Sequence, residues 1–290
     1  MMFLTLHFSN LIFIFLALWP LESVMAQVMI PGVVTPQVFY EGQPFVEIGP
    51  QSSTQLKGFA ELTVGFIHRS DIRWYGAWAS LNQKSVYEEY KLCPGQALKN
   101  NPTSFFCSGA FISPNQILTA AHCLEDVKCG DLNFVRNAQL AKVIKGVPRS
   151  DVFTCKLIHI LSEDRDLAII ETKQAYSGPI ASVRRTSSRS QQGFIFMLGY
   201  PLGMPLHMSK GIITQQRGSF AMADLSAFEG NSGSPIFSQA DGHLLGVLIE
   251  GEEDLQERRD LRCRQIVRCK RGECEGEKIS LVTPNDLSQD

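Results

Sequence analysis

One serine of this chain is well placed for nucleophilic chemistry. Ser232 lies in the run Phe-Glu-Gly-Asn-Ser-Gly-Ser-Pro-Ile at 228–236, with Gly230 two residues before it and Gly233 directly after it. Glycines at these positions predict a turn with little side-chain cover, which exposes the hydroxyl and lets neighbouring backbone N–H groups converge. Ordinary surface turns use similar sequences, so the run needs further support before it indicates catalysis.

A histidine and an aspartate supply that support. The run Ile-Leu-Thr-Ala-Ala-His-Cys at 117–123 predicts a strand that delivers His122, and Asp166 comes just before the buried strand predicted at 167–171. A histidine can take the proton of a serine hydroxyl, and a carboxylate behind it fixes the tautomer and stabilises the imidazolium. Asp164 is the alternative acid, but Asp166 directly adjoins the strand and is the better candidate.

These motifs, in the order His122, Asp166, Ser232, resemble those of the trypsin-like serine peptidases of the chymotrypsin fold over roughly residues 58–283. The runs Gly-Asn-Ser-Gly-Ser-Pro and Gly-Tyr-Pro-Leu-Gly-Met-Pro-Leu are more similar to bacterial members, including the glutamyl endopeptidases, than to digestive trypsins. The α/β-hydrolases use the order Ser, acid, His and the subtilisins Asp, His, Ser, so the order excludes both.

The resemblance implies an all-β fold of two packed antiparallel six-stranded barrels, with the active site in the cleft between them. It also implies a serine endopeptidase that works through an acyl-enzyme, with an oxyanion hole formed by the backbone amides of Gly230 and Ser232. Asn231 stands where digestive trypsins carry an aspartate, so activation through that aspartate's salt bridge is not expected. A disulfide between Cys107 and Cys123 is implied as well.

Substrate preference has a weaker signal. Ser226, six residues before the nucleophile, stands where trypsins carry an acidic specificity determinant, and Leu248 stands where glutamyl endopeptidases carry a histidine. The candidates for a specificity pocket are therefore Ser226, Glu229 and Glu250. The two glutamates would repel an acidic residue before the scissile bond, which favours a basic or neutral residue there.

The cysteines indicate an oxidising compartment. All eight follow residue 26, and an even number in an exported chain predicts disulfides. Beyond the implied pair, six cysteines allow 15 connectivities, of which proximity favours Cys129 with Cys155 and links among the other four. A zinc site at Cys263, Cys269 and Cys274 is the alternative, but their spacing fits no common zinc motif.

The predicted organisation is a signal peptide at 1–26, a leader, propeptide or extended arm at 27–57, and a peptidase domain at 58–290. An uncleaved signal anchor remains an alternative because the first residues carry no Lys or Arg. Residues 70–104 are predicted to be an inserted surface segment whose aromatic residues cover the barrel. Short apolar runs between turn residues predict strands at 59–67, 105–113, 116–120, 152–160, 167–171, 193–199, 211–216, 234–238, 243–250 and 278–282.

Composition adds limits on partners. The formal net charge of −2 gives no field that would favour nucleic acid, and the basic residues between 258 and 271 are interspersed with acidic ones, as in a solvated loop. We expect a secreted or periplasmic monomer that acts on a protein or peptide, needs no cofactor or metal, and has no stable membrane insertion after signal cleavage. The alternative function is a catalytically silent binding or adhesive protein with the same fold.

Overall fold

Two closed barrels form the body of the protein. The computed structural model describes residues 39–40, 45–183, 193–269 and 274–287, and within them each barrel is built from six antiparallel strands. The predicted all-β architecture is therefore confirmed. The signal segment predicted at 1–26 lies outside the described residues.

Large apolar side chains form the core of the first barrel. Phe66, Phe111 and Phe134 are among them and are fully buried. Short apolar strands suit this closure, because alternate residues face the barrel interior. In ring order its strands are Leu132–Arg136, Val152–Ser162, Leu167–Thr172, Gln116–Thr119, Cys107–Ser113 and Thr63–His68.

The second barrel encloses a separate apolar cluster that includes Met197, Ile236 and Ile279. In ring order its strands are Phe194–Gly199, Pro235–Ser238, Leu244–Glu250, Glu277–Leu281, Phe220–Ala223 and His207–Arg217. The strand Phe45–Glu47 pairs with the outer edge of His207–Arg217 as an added seventh strand.

The predicted strand at 59–67 is wrong at its start. Residues Thr54–Leu62 form an α-helix, and the strand begins only at Thr63. The helix is favoured by Ser53, whose hydroxyl caps it by accepting the Leu56 N–H at 3.2 Å, and by the burial of its last turn against the core. The predicted boundary between the arm and the domain, at 57 and 58, falls inside this helix.

The other elements are short. Further strands are Phe39–Tyr40, Ile72–Tyr75, Trp78–Leu81, Lys84–Ser85, Pro102–Thr103, Val147–Pro148, Leu255–Arg258, Cys263–Ile266 and Arg268–Cys269. Further α-helices are Val86–Tyr90, Leu140–Lys145 and Pro284–Leu287, and 3₁₀ turns span Arg69–Asp71, Ala121–Leu124, Cys129–Asp131, Arg149–Asp151 and Pro201–Gly203. None of the helices in the described ranges is long and apolar enough to span a membrane.

The segment 70–104 does not cover the barrel with its aromatic residues as expected. Only Tyr90 packs against a buried apolar cluster. Trp74, Tyr75, Trp78 and Tyr87 are exposed, because the first three belong to a hairpin whose strands project their rings into solvent. The guanidinium of Arg149 lies 4.1 Å from the centroid of the Trp74 ring, so part of this exposed surface is a cation–π contact.

Four disulfides use all eight cysteines. They join Cys93 to Cys263, Cys107 to Cys123, Cys129 to Cys155 and Cys269 to Cys274. The pairing of 107 with 123 is the one that the resemblance implied, and the other three fall within the groupings that proximity favoured. With no free cysteine in the chain, the zinc alternative loses its thiolate ligands.

Candidate active site

Two neighbouring strands of the first barrel bring His122 and Asp166 together. The strand Gln116–Thr119 pairs with Leu167–Thr172 so that Thr119 lies opposite Ala168. His122 follows the first of these strands and Asp166 precedes the second. The His122 Nδ1 lies 2.6 Å from the Asp166 Oδ2, and the His122 backbone N–H donates to the Asp166 Oδ1 at 2.7 Å. One carboxylate thus fixes both the ring and the backbone of the histidine.

Asp166 is itself held by its backbone. Its N–H donates to the carbonyl of Glu163 at 3.0 Å, and its own carbonyl accepts the N–H of Ala121 at 3.1 Å. Its φ of 52° is in the left-handed region, where aspartate is among the more tolerant residues. Within the described ranges, Asp164, the alternative acid, is exposed and forms neither a hydrogen bond nor an ion pair with His122.

The charge of Asp166 changes the proton affinity of the histidine. The hydrogen bond from His122 to Asp166 raises the pKa of the imidazole above its ordinary value, and Coulombic attraction adds to this. Partial burial of the ring opposes the shift. Because the hydrogen bond dominates, the imidazolium form is stabilised, as a general base requires once it has accepted a proton.

Ser232 lies on a turn fastened to both barrels. Gly230 and Gly233 have φ values of +88° and +79°, a conformation that side chains other than glycine rarely adopt. The Gly233 N–H donates to the Leu248 carbonyl at 2.8 Å in the second barrel, and the Ser108 N–H of the first barrel donates to the Ser232 carbonyl at 2.8 Å. The turn therefore has a fixed position relative to the first barrel.

The contacts of the turn also place it near the histidine. The Sγ of Cys123, the residue after His122, lies 3.6 Å from the Ser232 carbonyl oxygen. Within the described ranges the Ser232 hydroxyl and the His122 ring are not joined by a hydrogen bond. Such bonds between nucleophile and base are often long without substrate and shorten when it binds.

Two backbone amides of the turn are open. Neither the Gly230 N–H nor the Ser232 N–H donates a hydrogen bond to any described residue, whereas the Asn231 N–H donates to the Phe228 carbonyl at 2.9 Å. The Gly230 carbonyl accepts the Ser108 hydroxyl at 2.8 Å, which helps to fix the turn. The free N–H groups of Ser232 and of the residue two positions before it are of the kind that can stabilise an oxyanion.

Asn231 is a buried amide beside Ser232. It is 1% exposed, and its Oδ1 accepts the Ser234 hydroxyl at 3.3 Å. Its Nδ2 has no hydrogen-bond partner among the described residues.

A cleft of about 180 Å³ opens beside Ser232. Two of the three sequence-predicted pocket residues, Glu229 and Glu250, line it, whereas Ser226 is fully buried and is not among the lining residues. Sequence reasoning missed three other carboxylates. The full lining is Phe228, Glu229, Ser232, Leu248, Glu250, Gly251, Glu252, Asp254 and Glu277. The acidic residues at 250–254 were a sequence signal for an acidic cleft. No motif around Glu277 indicated that this residue would reach the cleft.

One group of side chains has the spacing of metal ligands. The ligand atoms of Cys107, His122 and Cys123 lie within 4.8 Å of one another. Both sulfurs belong to one disulfide, so neither is available as a thiolate, and the group does not fit a metal ion.

The comparisons with known proteins agree with this geometry. Residues 107–247, which include His122, Asp166 and Ser232, match the sequence model of the trypsin-like peptidase domain. This chain contains a trypsin-like peptidase domain. The resemblance seen in its motifs is thereby confirmed.

Curated relatives of the domain are glutamyl endopeptidases of Staphylococcus aureus. The protein of strain MW2 is 29% identical over 154 residues, which cover 50% of this chain and 46% of that protein. The match to strain MSSA476 is also 29% identical and covers 45% of that protein. The chain therefore spans about half the length of these relatives.

Solved structures show the same fold. The VesB protease of Vibrio cholerae superposes with a TM-score of 0.53 at 13% identity, covering 84% of this chain and 64% of that one. A Glu endopeptidase superposes with a TM-score of 0.51 at 14% identity, covering 86% of this chain and 96% of that one. At such identities the likeness concerns architecture alone.

Proposed function

We propose that this protein is an exported serine endopeptidase in which Ser232, His122 and Asp166 form the catalytic triad. The observation that carries the proposal is the double hydrogen bond from His122 to Asp166, at 2.6 and 2.7 Å. It lies next to the glycine-bracketed Ser232, whose carbonyl oxygen is 3.6 Å from the Sγ of the residue after His122. A histidine with one ring nitrogen fixed by a carboxylate has its other nitrogen free to accept a proton.

The reaction uses these groups in two halves. Ser232 Oγ attacks the substrate carbonyl as its proton passes to His122 Nε2, and the oxygen that becomes negative accepts the N–H groups of Gly230 and Ser232. The tetrahedral intermediate then collapses, and His122 donates its proton to the departing amine. This leaves an acyl-enzyme, which a water molecule hydrolyses with His122 again acting as base.

The disulfides support export. Four bridges in one chain are typical of an oxidising compartment, outside the cytosol or in the periplasm. We further propose that the protein works as a monomer on protein or peptide substrates.

The test is a comparison of two serine variants in casein hydrolysis. Ser232→Ala should lose activity by about 10⁴-fold or more with an unchanged melting temperature, since removal of the nucleophile leaves only residual catalysis. Ser219→Ala, on an exposed turn, serves as the matched control and should retain wild-type activity. A Ser232→Ala protein that cleaves casein at the wild-type rate would disprove the assignment, and a folded wild-type protein without activity would favour the silent binding protein.

A further inference from the structure

The cleft beside Ser232 is rich in acidic residues. Five carboxylates face it, and no lysine or arginine is among its lining residues in the described part of the chain. The remaining walls are Phe228, Leu248 and Gly251. An anionic cleft with apolar walls suits a side chain with an aliphatic stem and a cationic end.

Three of the carboxylates already have partners, among them Glu252, whose Oε1 accepts two backbone N–H groups. Glu250 forms an ion pair with Lys278 at 2.9 Å, and the Asp254 Oδ2 accepts the Glu229 N–H at 2.5 Å. The hydrogen bond from the Glu229 N–H ties Asp254 to the residue three positions before the nucleophile. Asp254 thus keeps a fixed place in the cleft wall next to Ser232.

Glu277 is a different case. It is 4% exposed, and in the described part of the chain no lysine or arginine pairs with its carboxylate. A Cβ at position 251 would overlap the Glu277 Oε2, so the glycine there leaves the room that this carboxylate occupies. A buried carboxylate is ordinarily paired, and this one instead borders an open cleft.

The proton affinities agree with this crowding. Burial raises the pKa of Glu277 well above its ordinary value, and the nearby Asp254 adds to the shift, while the backbone N–H of Glu252 opposes it. Burial raises the pKa of Asp254 to about 7, and repulsion by Glu229 contributes. A cation in the cleft would relieve this repulsion and restore the ionised forms.

We propose that Glu277 and Asp254 bind the side chain of a lysine or arginine immediately before the scissile bond, so that the enzyme cleaves after basic residues. The proposal rests on Ser232 being the nucleophile. Ser232 lines the same cleft, so a side chain that enters the cleft belongs to the residue whose carbonyl lies at the serine. Phe228 and Leu248 contact its methylene groups, and an acidic side chain is repelled.

The test uses peptides that differ only at the residue before the scissile bond, which is arginine, citrulline or glutamate. Citrulline has the shape of arginine without its charge. We expect kcat/KM for arginine to exceed that for citrulline by about 100-fold, with no cleavage after glutamate, because a desolvated charge pair is worth that much or more. Equal rates for arginine and citrulline, or preferred cleavage after glutamate, would overturn the proposal.

Variants assign the effect to residues. Glu277→Gln should lower kcat/KM for arginine by about 100-fold and leave that for citrulline within a few-fold. Gly251→Ala should reduce the arginine preference without removing a charge, since its methyl group displaces the Glu277 carboxylate. Glu257→Gln, an exposed glutamate of the neighbouring hairpin, is the matched control and should keep the wild-type ratio. An unchanged ratio in Glu277→Gln would contradict the assignment.

A binding measurement separates this proposal from the proposed function. Benzamidine, a small aromatic cation, should bind Ser232→Ala protein in calorimetry and bind Ser232→Ala/Glu277→Gln protein at least tenfold more weakly. Equal binding to both, or none to either, would overturn the cation site. The peptidase assignment is judged separately by whether a fluorophosphonate, which carries no basic side chain, labels Ser232. Labelled enzyme without an arginine preference refutes the cation site alone, and unlabelled folded enzyme refutes the nucleophile.

Discussion

The two halves of the candidate active site are assembled in different ways. His122 follows one strand of the first barrel and Asp166 precedes the neighbouring strand, and three hydrogen bonds between their two turns fix them. The cleft beside Ser232 draws its walls from three separate stretches, 228–232, 248–254 and residue 277. The proton-transfer half is thus local and rigid, whereas the recognition half depends on the closure of the second barrel.

This difference predicts that damage to each half has a distinct kinetic signature. Changes to the proton-transfer half should lower the rate for every substrate alike. Changes to the recognition half should alter the ratio between substrates. A variant of the proton-transfer half that changes only specificity would contradict this division of roles.

The largest effect expected in the histidine half is that of Asp166→Asn. An amide cannot accept both the ring and the backbone N–H groups of His122 as the carboxylate does, so kcat should fall by about 10⁴-fold on all substrates. Asp164→Asn is the matched control, since Asp164 is exposed, and it should retain full activity. If both variants lose activity equally, or neither does, the orienting acid is wrongly assigned.

The candidate triad could be selected from sequence because each of its members lies in a short motif whose residues also build its local structure. Gly230 and Gly233 permit the turn of Ser232, and the strand after Asp166 sets its place beside His122. The two six-stranded barrels were likewise predictable, through the family resemblance of those motifs.

The recognition half was predictable only in part. Glu229 is three residues before Ser232, and Glu250 is two residues after Leu248, so both lie next to positions that the family resemblance singles out. Glu277, by contrast, reaches the cleft through pairing between the strands Glu277–Leu281 and Leu244–Glu250. Strand register of this kind depends on contacts far apart in the chain. The helix Thr54–Leu62 was not predicted for another reason, because its last residues, Phe-Ala-Glu-Leu, begin the mostly apolar run 59–67, which fits a strand as well as a helix.

A smaller effect is expected from the disulfide that ties the histidine turn to the barrel. The bridge from Cys107 to Cys123 closes a loop with a sequence separation of 16. Its removal in Cys107→Ser/Cys123→Ser should lower the free energy of unfolding by about 3 kcal/mol. Denaturant unfolding would measure this. The Cys269→Ser/Cys274→Ser variant, with a separation of 5, should lose only about 2 kcal/mol. The reverse order would contradict the loop-closure argument.

The smallest effect concerns pH. Protonated His122 cannot accept the serine proton, so activity falls as the pH drops through the raised pKa of this histidine. The midpoint of the acid limb of kcat/KM should therefore lie above the ordinary histidine value of about 6.5. In Asp166→Asn the residual activity should have a lower midpoint, because the hydrogen bond that raises the pKa is weakened and burial still lowers it. Identical midpoints in the two proteins would contradict the claim that Asp166 raises the pKa of His122.

The most direct test of the central claim is labelling of the folded wild-type protein with a fluorophosphonate, followed by mass spectrometry of the modified peptide. The account predicts one equivalent of label on Ser232, no label on Ser232→Ala protein and slow labelling of Asp166→Asn protein. Labelling of a different residue, or none while circular dichroism shows the protein folded, would contradict the claim that Ser232 is the activated nucleophile.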